Sequence, residues 1–354
     1  MLLALYTPLF FALLPFASAA GVYKLKFIKS QSTASDLAFD AAHLAEKALT
    51  LTQNLAYSAK ISLGTPPQQA RFHPVFFTSQ ISSWSTMTPD LAPFGCRARD
   101  APSKHARRAI GTKVNGKKFA IQYGTGFVEG FYSQDMLRVS DLSVQAQIFG
   151  ETFQESRQFE VAQYDGIFGL AYDSIAPNHT TPSFYNMSLA SSSSAVSTGL
   201  AFTGKITYAP VRQRAYWEVE LEQAKLGNTT APLKNNGAAI NTGISFIVMP
   251  TKTAVQFKAI IGAKKNPQGL NVVPCSTVPS LPLLTFYLDG KRYPSRGSDY
   301  IFYGQASKVC ISGFIGLDIN IPAGSFCILG DAFLRRYFTV HNLATNEFGF
   351  ALSK

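Results

Sequence analysis

Two stretches of the chain follow one plan, and that repeat limits the fold more than any other feature. In each, an apolar run ends at a Thr-centred turn, and a second apolar, Gly-containing run lies about ninety residues further on. The first pair is Pro74-Val75-Phe76-Phe77-Thr78-Ser79-Gln80 with Gly166-Ile167-Phe168-Gly169-Leu170. The second is Ala238-Ala239-Ile240-Asn241-Thr242-Gly243-Ile244-Ser245 with Cys327-Ile328-Leu329-Gly330. Phe77 precedes Gly169 by 92 residues and Asn241 precedes Gly330 by 89. Such self-similarity predicts two β-rich lobes related by a pseudo-twofold, with both Thr turns at their interface. Composition agrees: 26 Gly, 19 Pro and 13% aromatic residues favour strands and turns over helix bundles. With 46% hydrophobic and 15% charged residues, the 354-residue chain is neither disordered nor a coiled coil, and it is long enough for two cores.

Residues 1–19 read as a secretory signal peptide: residues 1–20 carry no charged side chain, and Ala17-Ser18-Ala19 fits a cleavage site. Pro8 and Pro15 interrupt the apolar run, and no other segment reaches 18 apolar residues, so no membrane anchor is expected. The expected location is extracellular, or the lumen of an endomembrane compartment such as the lysosome. Asn178-His179-Thr180, Asn186-Met187-Ser188 and Asn228-Thr229-Thr230 are sequons, so Asn178, Asn186 and Asn228 are candidate glycosylation sites. Residues 20–53 read as a short leader, with helical spacing at Leu37, Ala41, Leu44, Ala48 and Leu51, and are expected to lie outside any sheet. The N-terminal lobe is expected at 54–205 and the C-terminal lobe at 206–354.

From Tyr57 onward the chain resembles the pepsin-like aspartic endopeptidases. Ile61-Ser62-Leu63-Gly64-Thr65-Pro66-Pro67-Gln68 resembles that family's first hairpin, and Gln122-Tyr123-Gly124-Thr125-Gly126 its flap. Tyr164 to Tyr172 resembles the strand that closes the first lobe's ψ loop, and Leu329 to Phe338 the closing signature of the second lobe. The resemblance implies an all-β class, mainly β with short helices, in a bilobal pepsin-like acid-protease fold. It also implies that Cys275 and Cys310 form a disulfide, whose enclosed loop would contribute roughly 4 kcal/mol. Cys96 lacks its family partner, and Cys327 falls in an apolar run as a buried free thiol.

Members of the family cleave peptides with two carboxylates that share one proton, one drawing a proton from water while the other polarises the scissile carbonyl. The motif is Asp-Thr/Ser-Gly at both turns. Here the aligned triplets are Phe77-Thr78-Ser79 and Asn241-Thr242-Gly243, so neither position carries an aspartate. Phe77 has no hydrogen-bonding group, and the Asn241 amide is neutral and cannot act as a base. Residues 47–89 and 223–288 contain no Asp or Glu, so a substitute carboxylate would have to come from another strand. Thr78, Thr242 and Gly243 remain as scaffold of the former site, while Ile244 replaces a hydroxyl that usually meets substrate. No catalytic residue is therefore assigned.

Tyr123, Trp84, Gly124 and Ile244 are the candidate contacts for a peptide or protein ligand, although plain aromatic core packing explains Tyr123 and Trp84 equally well. Residues 97–118 carry eight Lys or Arg against Asp100 alone, within a chain of net charge +11. That stretch suits an anionic glycan, and equally a solvated loop and strand face. Nucleic acid is not an expected partner of a secreted chain. The five histidines show no ligand spacing, so neither a metal nor another cofactor is expected. Three functions remain: a non-catalytic binder of peptide or protein, an aspartic endopeptidase by descent with residual activity, and a surface-interaction protein whose cleft is vestigial. A decayed gene copy would produce the same losses.

Overall fold

The computed structural model describes residues 57–75, 81–83, 113–123, 126–139, 142–156, 165–190, 202–231, 233, 237–267, 269–304, 309–318 and 326–354, with the backbone of three earlier strands. The chain divides into two units, one chiefly Ala56–Thr198 and the other chiefly Gly199–Lys354. Strands dominate both, with a few short helices, so the expected all-β class holds.

The first unit begins with a hairpin of Tyr57–Leu63 and Gln68–Val75. Gly64 takes a φ of 96° at its turn, a value an L side chain resists. The buried Asp135 secures that turn: its carboxylate accepts from Thr65 N at 3.2 Å and from Thr65 Oγ1 at 2.9 Å. An antiparallel meander of Lys113–Gln122, Phe127–Val139 and Leu142–Glu155 follows. Phe72, Tyr132 and Phe168 are fully buried, and each such side chain contributes about 1.5–3 kcal/mol relative to exposure.

Gly166–Gly169 organises this unit. It runs parallel to Gln68–Val75, with Gly169 opposite Val75, and antiparallel to Ile81–Ser83, with Phe168 opposite Ile81. Ile81–Ser83 also lies parallel to Leu142–Glu155. The strands before and after the first Thr turn therefore clasp one buried strand between them.

The second unit repeats the arrangement within itself. Gly237–Ile240 runs parallel to Phe326–Leu329, with Ile240 opposite Leu329, and Ile247–Met249 runs antiparallel to the same strand. Ile247–Met249 also lies parallel to Phe314–Gly316. The sequence repeat is thus a repeat of strand pairing, present in each unit. A long strand, Phe202–Arg214, pairs with Glu347–Ser353, which pairs in turn with Tyr337–Asn342. Trp217, Phe257, Phe286 and Tyr300 fill the core. Cys275 and Cys310 form the expected disulfide, 35 residues apart, and Cys327 is the buried free thiol.

One expectation is corrected. The leader was expected to stay outside any sheet, yet Tyr23–Lys29 is a strand that pairs antiparallel with Tyr57–Leu63 and with Phe10–Leu14. The signal is in the residues: Tyr23, Leu25 and Phe27 alternate with Lys24 and Lys26, the period of a half-buried strand. The stretch with helical spacing from Leu37 to Leu51 lies outside the described residues.

Candidate active site

The second Thr turn is built almost wholly by main-chain bonds. Asn241 N donates to Leu329 O at 3.1 Å, which carries the parallel ladder one residue past Ile240. On the far side, Asp331 N donates to Ile244 O at 2.9 Å, Ala332 N to Ser245 O at 2.8 Å, and Gly330 N to Phe246 O at 3.2 Å. Residues 330–332 therefore hold the outgoing limb of the turn as Leu329 holds the incoming one. Only glycine fits at 330, because a Cβ there would run into the carbonyl oxygens of Ile244 and Phe246. The short helix Asp331–Leu334 that follows is buried throughout.

Asn241 is 6% exposed, and its side chain has a fixed sense. Gly243 N donates to it at 2.8 Å, so the accepting atom is Oδ1 and the amide nitrogen faces the other way. Among the described residues no group accepts from that Nδ2. The turn thus presents a neutral donor, with no carboxylate to take a proton from water. Thr242 is buried, Gly243 is half-buried and Ile244 is buried at 3% exposure, an apolar surface where a hydroxyl was expected from the family pattern.

Among the described residues three carboxylates are buried: Asp135, Glu218 and Asp331. Asp135 caps the first hairpin, and Glu218 pairs with Arg212 at 3.1 Å. Asp331 alone belongs to the segment bonded to the Asn241 turn. Local sequence does not reveal its nearness to the turn, because it lies ninety residues away in the chain. Its presence in the quoted closing signature, directly after the glycine that must touch the turn, was the available signal.

The other expected site residues divide. Phe77, Thr78, Trp84, Gly124 and Cys96 lie outside the described residues, as do residues 97–112 of the basic stretch. Tyr123 is half-buried at the tip of the Lys113–Gln122 and Phe127–Val139 hairpin, where its N donates to Gly126 O at 2.6 Å. Its ring packs against the cluster of Phe119, Val128, Tyr132 and Ile167, which favours the packing role over a ligand contact. Lys113, Lys117 and Lys118 are exposed on the same hairpin. Burial pushes the Cys327 thiol up to about 12, which keeps it protonated.

With that geometry in place, comparison with known proteins is decisive. The sequence profile of the eukaryotic aspartyl protease family matches residues 56–200 and 195–353. The chain belongs to that family. The two matched segments meet where the first unit gives way to the second, so each carries its own Thr turn. Among named eukaryotic aspartyl proteases, vacuolar protease A of Aspergillus fumigatus is 38% identical over 324 residues, covering 85% of this chain and 80% of the relative. The vacuolar aspartic protease of Candida albicans is 38% identical over 331 residues, 86% and 77% of the two chains. Cathepsin D of Gallus gallus is 34% identical over 323 residues, 83% and 80%.

Proposed function

We propose that this aspartyl protease homologue is non-catalytic and binds a peptide or protein segment presented to the Asn241 turn. The observation that carries the reading is the orientation of Asn241: Oδ1 is committed to Gly243 N, and Nδ2, which no described residue engages, is a donor. A peptide carbonyl is the natural acceptor for such a group, and its binding requires no proton transfer. A general base must take up a proton and give it back near working pH, which an amide cannot do. Phe77 at the other turn offers no ionisable group either. The relatives named vacuolar and the apolar N-terminus favour an endomembrane lumen or the cell exterior as its place of work. Among the described residues no helix is long and apolar enough to cross a membrane.

The competing reading, proteolysis by descent, has one observation on its side: Asp331 is a buried acid in the segment bonded to the turn. A single experiment separates the two. Purified protein freed of its leader is incubated at acid pH with a broad peptide library, with and without a pepsin-type transition-state inhibitor. Binding of the inhibitor without cleavage is the expected result. Inhibitor-sensitive cleavage that disappears in Asp331→Asn would overturn the proposal and assign the chemistry to that carboxylate.

A further inference from the structure

Three sequons were legible in the sequence, and the structure treats them differently. Asn228 occupies the two-residue turn that joins Trp217–Leu226 to Thr229–Thr230, with Leu226 opposite Thr229. Gly227 takes a φ of 58°, as the first central position of a type II′ turn requires, and anchors the tip through Gly227 N to Leu283 O at 2.9 Å. Asn228 and Thr230 are both exposed, and no hydrogen bond engages either side chain among the described residues. Leu283, beside the turn, is an apolar side chain left 43% exposed.

The other two asparagines use their amide nitrogens to hold the fold. Asn186 lies within the helix Ser183–Ala190, between the fully buried Phe184 and Met187. Its Nδ2 donates at 2.9 Å to Oε1 of Gln147, itself 1% exposed. Asn178 sits in the left-handed region, with a φ of 56°. Its Nδ2 donates to Lys118 O at 3.4 Å and to the hydroxyl of the fully buried Tyr132 at 3.3 Å. Both of its amide hydrogens are therefore in use.

We propose that the folded protein carries an N-linked oligosaccharide at Asn228 and at neither Asn178 nor Asn186. In the transfer, Nδ2 of Asn228 bonds to the anomeric carbon of a polyprenyl-pyrophosphate-linked oligosaccharide. The bond from that carbon to the pyrophosphate oxygen breaks, and the pyrophosphate leaves with the electron pair. Nδ2 gives up one proton and keeps the other. At Asn228 nothing is lost by this, and the sugar extends into solvent over Leu283. At Asn178 the lost proton removes one of two bonds, and at Asn186 the sugar would have to part the helix from Gln147. Modification therefore costs the exposed Asn178 one of its two bonds to Lys118 and Tyr132, and costs Asn186 the contact between its helix and Gln147.

The test uses the full chain expressed in cells with a eukaryotic secretory pathway. Folded protein is treated with peptide N-glycosidase in heavy-oxygen water, which converts each glycosylated Asn to a labelled Asp that peptide mass spectrometry locates. The expected result is label at Asn228 alone, with Asn228→Gln migrating like enzyme-treated wild type and recovered in equal yield. Label at Asn178 or Asn186, or an unlabelled Asn228, overturns the proposal. Asn186→Gln and Asn178→Gln supply the complementary readout, with a lowered melting temperature and unchanged glycan mass. Neither result depends on what the Asn241 turn binds.

Discussion

At residue 241 the difference between amide and acid is one of charge, at nearly constant shape. Asn241→Asp keeps the bond from Gly243 N but places a carboxylate in a turn that is 6% exposed, where burial raises its pKa. The folded variant then binds a proton that the unfolded chain releases, so its stability falls as pH rises through that raised value. We expect the variant to lose about 1–3 kcal/mol relative to wild type at neutral pH and to recover in acid. Urea midpoints at the two pH values check this, and equal losses at both would contradict it. Glu218 already shows the same sign. Burial outweighs the nearby Arg212 and holds its carboxyl above the ordinary glutamate value. Stability from this residue is therefore greatest at acid pH and declines as pH rises from the ordinary glutamate value through the raised one. Glu218→Gln should flatten that part of the stability profile, a change readable from melting temperatures across a pH series.

At the scale of elements, the clasp around Phe326–Leu329 is the part most exposed to damage. Gly330→Ala forces a methyl group against the carbonyl oxygens of Ile244 and Phe246, so a loss of about 1–3 kcal/mol is expected, the range for overpacking a close contact. Opening the Cys275–Cys310 loop of 35 residues by a double Ser substitution should cost about 4 kcal/mol, measurable as a reduced denaturant midpoint. The strand plan was legible in the sequence as a repeat and the disulfide through the family resemblance, whereas the close approach at Gly330 shows only in the structure. The Tyr23–Lys29 strand was misread. Its alternation spans only seven residues and adjoins a longer stretch with helical spacing. Tyr123 was ambiguous for a different reason: an aromatic residue at a hairpin tip has the same pattern whether it meets a ligand or its own core, and only the ring's neighbours decide. Asp331 was invisible as a site residue because its nearness to the turn is a product of strand order, which local sequence does not encode.

At the scale of the molecule, the proposed non-catalytic function predicts that the chain does not process itself in acid. Phe77 and Asn241 stand at the two turns, so on that proposal no carboxylate pair is there to cut the leader. Purified chain held at acid pH should keep its full length by intact mass, and shortening without an added protease would contradict the proposed function. Each turn-bearing strand pair clasps its partner strand inside its own unit, so neither clasp depends on the identity of the residue at the turn's tip. For Asn241 the fastening is explicit, with Leu329 on one limb and residues 330–332 on the other, all through main-chain atoms. Position 241 is in effect a socket: the frame grips the backbone at both limbs, and the side chain adds a single bond to Gly243 N. A histidine, a cysteine or a synthetic ligand group set there would inherit a rigid main-chain mount.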